Sequence, residues 1–351
     1  MYKQKLFRIG IITTLAALCI TGTLYAAGSW NILQKQDPEI RDYFAITFIS
    51  SEEGWAVGDS LFDMDNPGFI GHTRDGGKTW EKAEIDISQR LGDIFFFDKK
   101  NGWAIGKNGM IVGTKDGGKK WEIQTSKVGN WLYGVHFPTE KIGYAVGMSE
   151  TIVQTTNGGK TWKVLRGGEG GGAVGDDDTS VFNAAYFFDE STGWVAGVKL
   201  SPSTGGQDGL IQKTTDGGKN WVDQPTNIED IIKDIWFVNA STGWAVAENG
   251  VVLHTTNGGD TWELQTSGTE EHLMSVRFAD ENTGWAAGGG LGVAVIIHTT
   301  DGGQTWETQD VGDPILSKIP INDVFILDGK HAWVTGNNGM VMKAAAYKVG
   351  N

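Results

Sequence analysis

Short apolar runs recur along this chain, and each ends on a large apolar residue six positions before a small-aromatic pair. The anchors are Phe48, Phe96, Phe137, Phe187, Phe237, Phe278 and Ile326. The pairs open the phrases GWAVG at Gly54, GWAIG at Gly102, GYAVG at Gly143, GWVAG at Gly193, GWAVA at Gly243, GWAAG at Gly284 and AWVTG at Ala332. The runs are rich in Phe, Ile and Val and are bounded by Gly, Asn, Asp and Ser, so they read as strands. A second phrase alternates with the first: TRDGGKTW (73–80), TKDGGKKW (114–121), TTNGGKTW (155–162), TTDGGKNW (214–221), TTNGGDTW (255–262) and TTDGGQTW (299–306). Asp or Asn before Gly-Gly supplies a tight turn between two strands. Asn-Gly at Asn108, Asn249 and Asn338 suits two-residue hairpins that need positive φ.

One unit is therefore strand a (for example 94–97), strand b on the small-aromatic phrase, strand c (for example 110–114), the DGG hairpin and strand d starting at its Trp. The basic period is 41 residues, which is that of a four-stranded propeller blade. The expectation is an all-β protein, a seven-bladed β-propeller of four-stranded antiparallel blades. Seven a/b pairs stand against six DGG phrases. The seventh blade is expected to take its outer strand from Trp30–Gln34, since WNILQ is like WEIQ at Trp121 and WELQ at Trp262. Ring closure removes the free edges that invite aggregation.

Lys3, Lys5 and Arg8 precede an uncharged, mostly apolar run at 9–28. Residues 1–28 read as an export signal or an uncleaved anchor, and 29–351 as the single propeller domain. The expected location is the periplasm, the thylakoid lumen or the extracellular space. Cys19, the single cysteine, lies in the leader, so the exported chain has neither disulfides nor a cysteine nucleophile. A formal charge of -14 argues against nucleic acid, whose phosphates are neutralised by Lys and Arg, and against an anionic membrane surface.

The DGG phrases resemble the Asp-box, or BNR, repeats of sialidases, sortilin-type receptors and many bacterial propellers, where the box is a structural hairpin. The residues agree with that reading. Asp75, Asp116, Asn157, Asp216, Asn257 and Asp301 can bond nearby amides, and Trp80, Trp121, Trp162, Trp221, Trp262 and Trp306 can pack between blades. Loop lengths carry more functional information. The a–b and c–d spacings do not vary, whereas the b–c and d–a connections do. Every insertion therefore maps to one face, the expected binding face. The inserts hold Asp63 and Asp65 (61–68), Asp176, Asp177 and Asp178 (167–180), and Asp208 (199–209), oxygen donors of the kind Ca²⁺ takes. No insert has an EF-hand-type loop, so the expectation is no cofactor. Asp93, Asp234 and Asp323 enter strand a from the same face. They would make the channel mouth negative and suit a cationic peptide segment.

From Ser29 onward, the alternation of FxxxxxGWAVG with TTDGGKTW and the closure at Trp30 resemble the photosystem II assembly and stability factor family of seven-bladed propellers. That resemblance implies a non-catalytic scaffold, monomeric, that binds a protein partner such as a membrane-complex subunit. Photosynthetic members bind a reaction-centre precursor and carry an Arg cluster. Here Arg41, Arg74, Arg90, Arg166 and Arg277 are spread over different blades. The competing reading is an Asp-box glycoside hydrolase, sialidase- or xyloglucanase-like, or a carbohydrate-binding propeller. A glycosidase needs two facing carboxylates, and no spacing singles out such a pair.

Overall fold

The computed structural model describes residues 30–39, 41–60, 68–168, 180–201, 205–290 and 292–345. The leader 1–28 and Asp63, Asp65, Asp176, Asp177 and Asp178 lie outside them. Among the described residues no helix is long and apolar enough to cross a membrane. Seven four-stranded antiparallel sheets form the ring. Blade two is typical, with strands Leu91–Phe96, Gly102–Gly106, Met110–Thr114 and Glu122–Thr125 from the inside outward. Blade seven is composite. Its inner strands Ile321–Asp328, His331–Gly336 and Val341–Ala344 are completed by Trp30–Gln34, with Trp30 opposite Ala344 and Ile32 opposite Met342.

The six-residue spacing has a packing cause. The anchor folds back over the glycine of its own blade. A Cβ on Gly193 would lie 2.2 Å from the Phe187 ring, and one on Gly143 would lie 2.2 Å from Phe137. Blade seven replaces both partners together, with Ala332 in place of the glycine and Ile326 in place of the ring. The anchor's other face meets the preceding blade. Phe96 stacks on Trp55 at 3.7 Å, Phe137 on Trp103 at 3.6 Å, Phe187 on Tyr144 at 3.6 Å and Phe278 on Trp244 at 3.5 Å. The ring closes through Phe48 on Trp333 at 3.9 Å. The box Trp of the anchor's own blade then meets its edge, as Trp162 does on Phe137 with planes 88° apart.

The boxes are built on their Thr and Asp side chains. In blade one, Thr73 Oγ1 accepts from the Gly77 amide at 2.9 Å and donates to Asp75 Oδ1 at 2.9 Å. Asp75 in turn accepts from the amides of Lys78 and Thr79 at 3.0 Å. Both box glycines have positive φ, 75° and 79° at Gly117 and Gly118, which other residues rarely adopt. The second glycine also leaves room for the neighbouring blade, since a Cβ on Gly118 would lie 2.6 Å from Trp55 Nε1. The indole N–H groups of Trp194, Trp244 and Trp333 donate to the first box glycine of the next blade, at 3.0–3.2 Å. The boxes and the small-aromatic phrases are thus two halves of one joint.

The Asn-Gly turns form as expected. Asn108, Asn249 and Asn338 have positive φ of 55–57°, and the glycines that follow them 66–72°. In each turn the residue after the pair donates its amide to the carbonyl of the residue before it, Met110 to Lys107, Val251 to Glu248 and Met340 to Asn337, which is the two-residue turn geometry. One local expectation differs from the structure. The insert at 199–209 is not a plain loop. Strands Gly193–Ser201 and Gly206–Thr214 stay paired out to Ser201 and Gly206, extending blade four as a β-hairpin.

Gly193→Ala should cost about 1–3 kcal/mol through overpacking against Phe187. Adding Phe187→Ile should recover part of that loss by copying the Ala332/Ile326 pair. Chemical denaturation of the two single variants and the double variant measures the coupling, and strict additivity would refute the packing account. Deleting Trp30–Gln34 should expose the edge of Val341–Ala344 and cause unfolding or self-association. A monomer with an unchanged melting temperature would show that the N-terminal strand does not close the ring.

Candidate functional site

Strand a is the innermost strand of each blade, so its inward side chains line the channel. A bulge in all seven copies resets the alternation. The position just after it reads Ala45, Asp93, Gly134, Ala184, Asp234, Ser275 and Asp323 around the ring. Each aspartate is followed in the next blade by a small residue, and that order has a purpose. Asp93 Oδ2 accepts from the Val135 amide at 2.8 Å, Asp234 Oδ2 from Val276 at 2.9 Å and Asp323 Oδ2 from Ile46 at 2.9 Å. The carboxylates therefore fasten neighbouring inner strands. Ser275 Oγ lies within bonding distance of both Asp234 and Asp323, at 3.1 and 2.7 Å. At the joints without an aspartate, Gly134 lets the backbones approach, since a Cβ there would lie 2.9 Å from Ala184 Cα. Asn183 bonds the Ile232 carbonyl at 2.8 Å.

The next inward layer is a belt of large side chains. The His136 ring lies 4.9 Å from Phe95 and 4.8 Å from Tyr186. Tyr186 meets Trp236 edge-on at 5.1 Å, and Arg277 lies over Trp236 at 4.9 Å. The guanidinium of Arg277 pairs with Asp234. The two layers border a cavity of about 200 Å³.

The electrostatics follow from three acids around one base. Burial pushes the Asp93 carboxyl up to about 7 and that of Asp323 up to about 6. Arg277 offsets only part of this. Burial pulls the Arg277 pKa down, but Asp234, Asp323 and Asp93 together carry it above its ordinary value. Burial, and then Arg277, hold His136 down at about 3. His136 is therefore neutral, and its Nδ1 accepts from the Phe187 amide at 3.3 Å, which leaves the proton on Nε2.

The structure places Asp93, Asp234 and Asp323 around the channel cavity, where the chain supplies its own cation, Arg277. Asp208 stands apart, exposed on the blade-four hairpin opposite Lys199. Sequence reasoning missed Arg277, His136, Tyr186 and Trp236. Each directly precedes an anchor, so alternation along strand a could have found them. Among the described residues no group of three or more His, Cys, Asp or Glu could hold a metal ion. The other arginines outside the leader are likewise engaged: Arg41 with Asp37 and Glu39, Arg74 with Glu81, Arg90 with Asp59 and Arg166 with Glu150.

These features define an Asp-box β-propeller with a structural acid–base ring in its channel. The family described as photosynthesis system II assembly factor YCF48 matches residues 78–131, 121–227 and 219–346. The chain belongs to that family. It is 35% identical over 69 residues to photosystem II stability/assembly factor HCF136, chloroplastic, of Arabidopsis thaliana, a stretch covering 19% of this chain and 15% of that protein. Among solved structures, YCF48 bound to D1 peptide has a TM-score of 0.67 at 20% identity, over 90% of this chain and 97% of that one. YCF48 from Cyanidioschyzon merolae has 0.64 at 22%, over 91% and 99%. A GH74 enzyme of Niastella koreensis has 0.67 at 14%, over 91% of this chain but 54% of its own. At these identities the structural likeness is one of fold.

Asp93 and Asp323 hold protons to a higher pH when folded than the ordinary carboxylate value of 3.8. Their contribution to stability is fully present below that value and is lost as pH rises through about 6 to 7. Asp93→Asn should lower the melting temperature, because one of the two amides of Ile94 and Val135 loses its acceptor, at about 1–3 kcal/mol. It should also flatten the fall in melting temperature between mildly acidic and mildly alkaline buffer. A slope as steep as that of the unaltered protein would refute the assignment.

Proposed function

We propose that this protein is an exported, non-catalytic scaffold. It binds a segment of a protein partner across its variable face and assists the assembly or stability of a membrane or envelope complex. The observation that carries the reading is the family match, which runs through six of the seven blades. One solved propeller of similar fold, YCF48, is described with a bound D1 peptide, which supports a peptide-like segment as the ligand. In a photosynthetic host the partner would be a reaction-centre precursor; in another host it would be another membrane-complex subunit. Residues 1–28 serve as the export signal, or as an anchor if they are retained.

The channel geometry bears on where binding falls. Asp93, Asp234 and Asp323 each fasten a neighbouring backbone amide, and Arg277 occupies the place a cationic visitor would take. Recognition therefore belongs to the rim of the variable face, in the inserts at 61–68 and 167–180 and in the blade-four hairpin with Asp208. The same commitments weigh against a glycosidase, which requires a free acid and a free base or nucleophile.

The test is a cross-linking pull-down from envelope or thylakoid extract with residues 29–351, with the captured protein identified by mass spectrometry. A matched variant shortens 167–180 and trims the 199–209 hairpin to the spacing of blade two. The expected result is one defined membrane-complex subunit, retained by the unaltered protein and weakened about tenfold or more in a variant of equal melting temperature. Undiminished capture by the variant would overturn the placement on this face.

A further inference from the structure

The acidic total conceals a segregated charge. Blades two and three, residues 91–166, carry eleven Lys and Arg against six Asp and Glu, in a chain with 29 against 43 overall. Most of these lysines are on the face with the invariant turns, opposite the inserts. Lys99 and Lys100 are in the a–b turn of blade two, and Lys119 and Lys120 in its DGG hairpin. Lys141 and Lys160 hold the matching places in blade three. All are exposed. Among the described residues the lysines with ion-pair partners are Lys35, Lys213 and Lys233, none of them in this group.

The backbone holds these lysines in a fixed array. The Gly117 amide donates to the Lys100 carbonyl at 3.0 Å, and the Gly158 amide to the Lys141 carbonyl at 2.8 Å, so each a–b turn is fastened to its DGG hairpin. The two blades are joined in turn where Trp162 Nε1 donates to Gln124 Oε1 at 2.8 Å. Of the acids among these turns, Asp98 accepts from the amides of Lys100 and Asn101, and Asp116 from that of Lys120, while Glu140 is exposed beside Lys141. Apolar surface flanks the array at both ends. Phe97, 41% exposed, directly follows the inner strand, and Ile123, 60% exposed, lies on the outer strand.

The geometry points to a second docking surface on the invariant face of blades two and three, for an acidic protein segment that carries an aromatic or aliphatic side chain. Charge complementarity selects the acidic segment, and Phe97 and Ile123 offer the apolar contact. A flat anionic membrane fits less well, because the same face presents Glu52 and Glu53 in blade one, Asp189 and Glu190 in blade four, and Asp280 and Glu281 in blade six. Nucleic acid would meet the repulsion of the whole acidic chain. This surface is independent of the variable-face reading, because it occupies the opposite side of the ring.

The test uses a fluorescein-labelled peptide of about a dozen residues, Glu and Asp with two Phe, titrated with the protein by fluorescence anisotropy. Binding should weaken steeply from low to physiological salt. Lys99→Glu/Lys119→Glu/Lys120→Glu should weaken it by about tenfold or more, in keeping with the loss of several charge contacts. Lys219→Glu/Lys330→Glu, at turns of the same face on blades four and seven, should change it less than about twofold. A milder Lys-to-Ala triple keeps the comparison valid if the charge reversal perturbs folding. No binding by the unaltered protein, or equal losses in the two sets of variants, would overturn the proposal. So would retention on phosphatidylglycerol vesicles, lost in the triple variant, in place of peptide binding. The insert-shortened variant should bind this peptide as the unaltered protein does, which separates failure of this proposal from failure of the variable-face reading.

Discussion

The stack of a strand-a phenylalanine on the strand-b aromatic of the preceding blade is the contact on which the ring depends. It brings the two rings to 3.5–3.9 Å in six of seven joints. An aromatic pair in this geometry contributes about 0.5–1.5 kcal/mol beyond the area it buries. The neighbouring sequence features follow from it. The glycine of the small-aromatic phrase clears space for the phenylalanine. The second box glycine clears space for the tryptophan. The Thr and Asp side chains hold the box in the shape that brings its own Trp against the phenylalanine edge. Blade seven shows that the requirement is steric and not a demand for particular residues, because it changes the glycine and the ring together.

The channel repeats this logic in polar form. Blades that meet through flat aromatic faces on the outside still need their inner strands fixed in register. Side-chain carboxylates bonded to the next blade's amide do that at three joints. The cost is three acids in a confined space, and Arg277 with Ser275 offsets part of it. Asp93 and Asp323 retain raised affinities for protons, which is what burial does to carboxylates that one guanidinium cannot fully neutralise. The channel therefore owes its unusual chemistry to construction. Perturbed titrating groups in a cavity are often read as a functional site, but here Asp93, Asp323, Arg277 and His136 each make a bond within the fold.

Much of this was legible in the sequence because the repeats constrain backbone and packing at once. The invariant six-residue step located the inner hairpins. The missing seventh box, together with WNILQ at Trp30, located the closing strand. The approach of Asp93, Asp234 and Asp323 to the channel was also legible. Their partner was not, because Arg277 is one isolated arginine in a region read for its phenylalanines. The blade-four insert looked like a loop because Gly and Ser dominate it, whereas the ladder simply continues while both strands remain in register.

The two faces carry information in different ways. On the variable face the connections differ in length, so shape itself changes from blade to blade. On the other face the six DGG turns share one backbone, held by positive-φ glycines and by the Thr and Asp or Asn bonds of the box. There only outward side chains are free to differ: Lys78, Lys119, Lys160 and Lys219 occupy the place that Asp260 and Gln304 fill in blades five and six. That place points away from the joint, so its charge can change without disturbing the stack beneath. A scaffold of this kind can present charge at fixed positions on one side and shape on the other, with the fold indifferent to both.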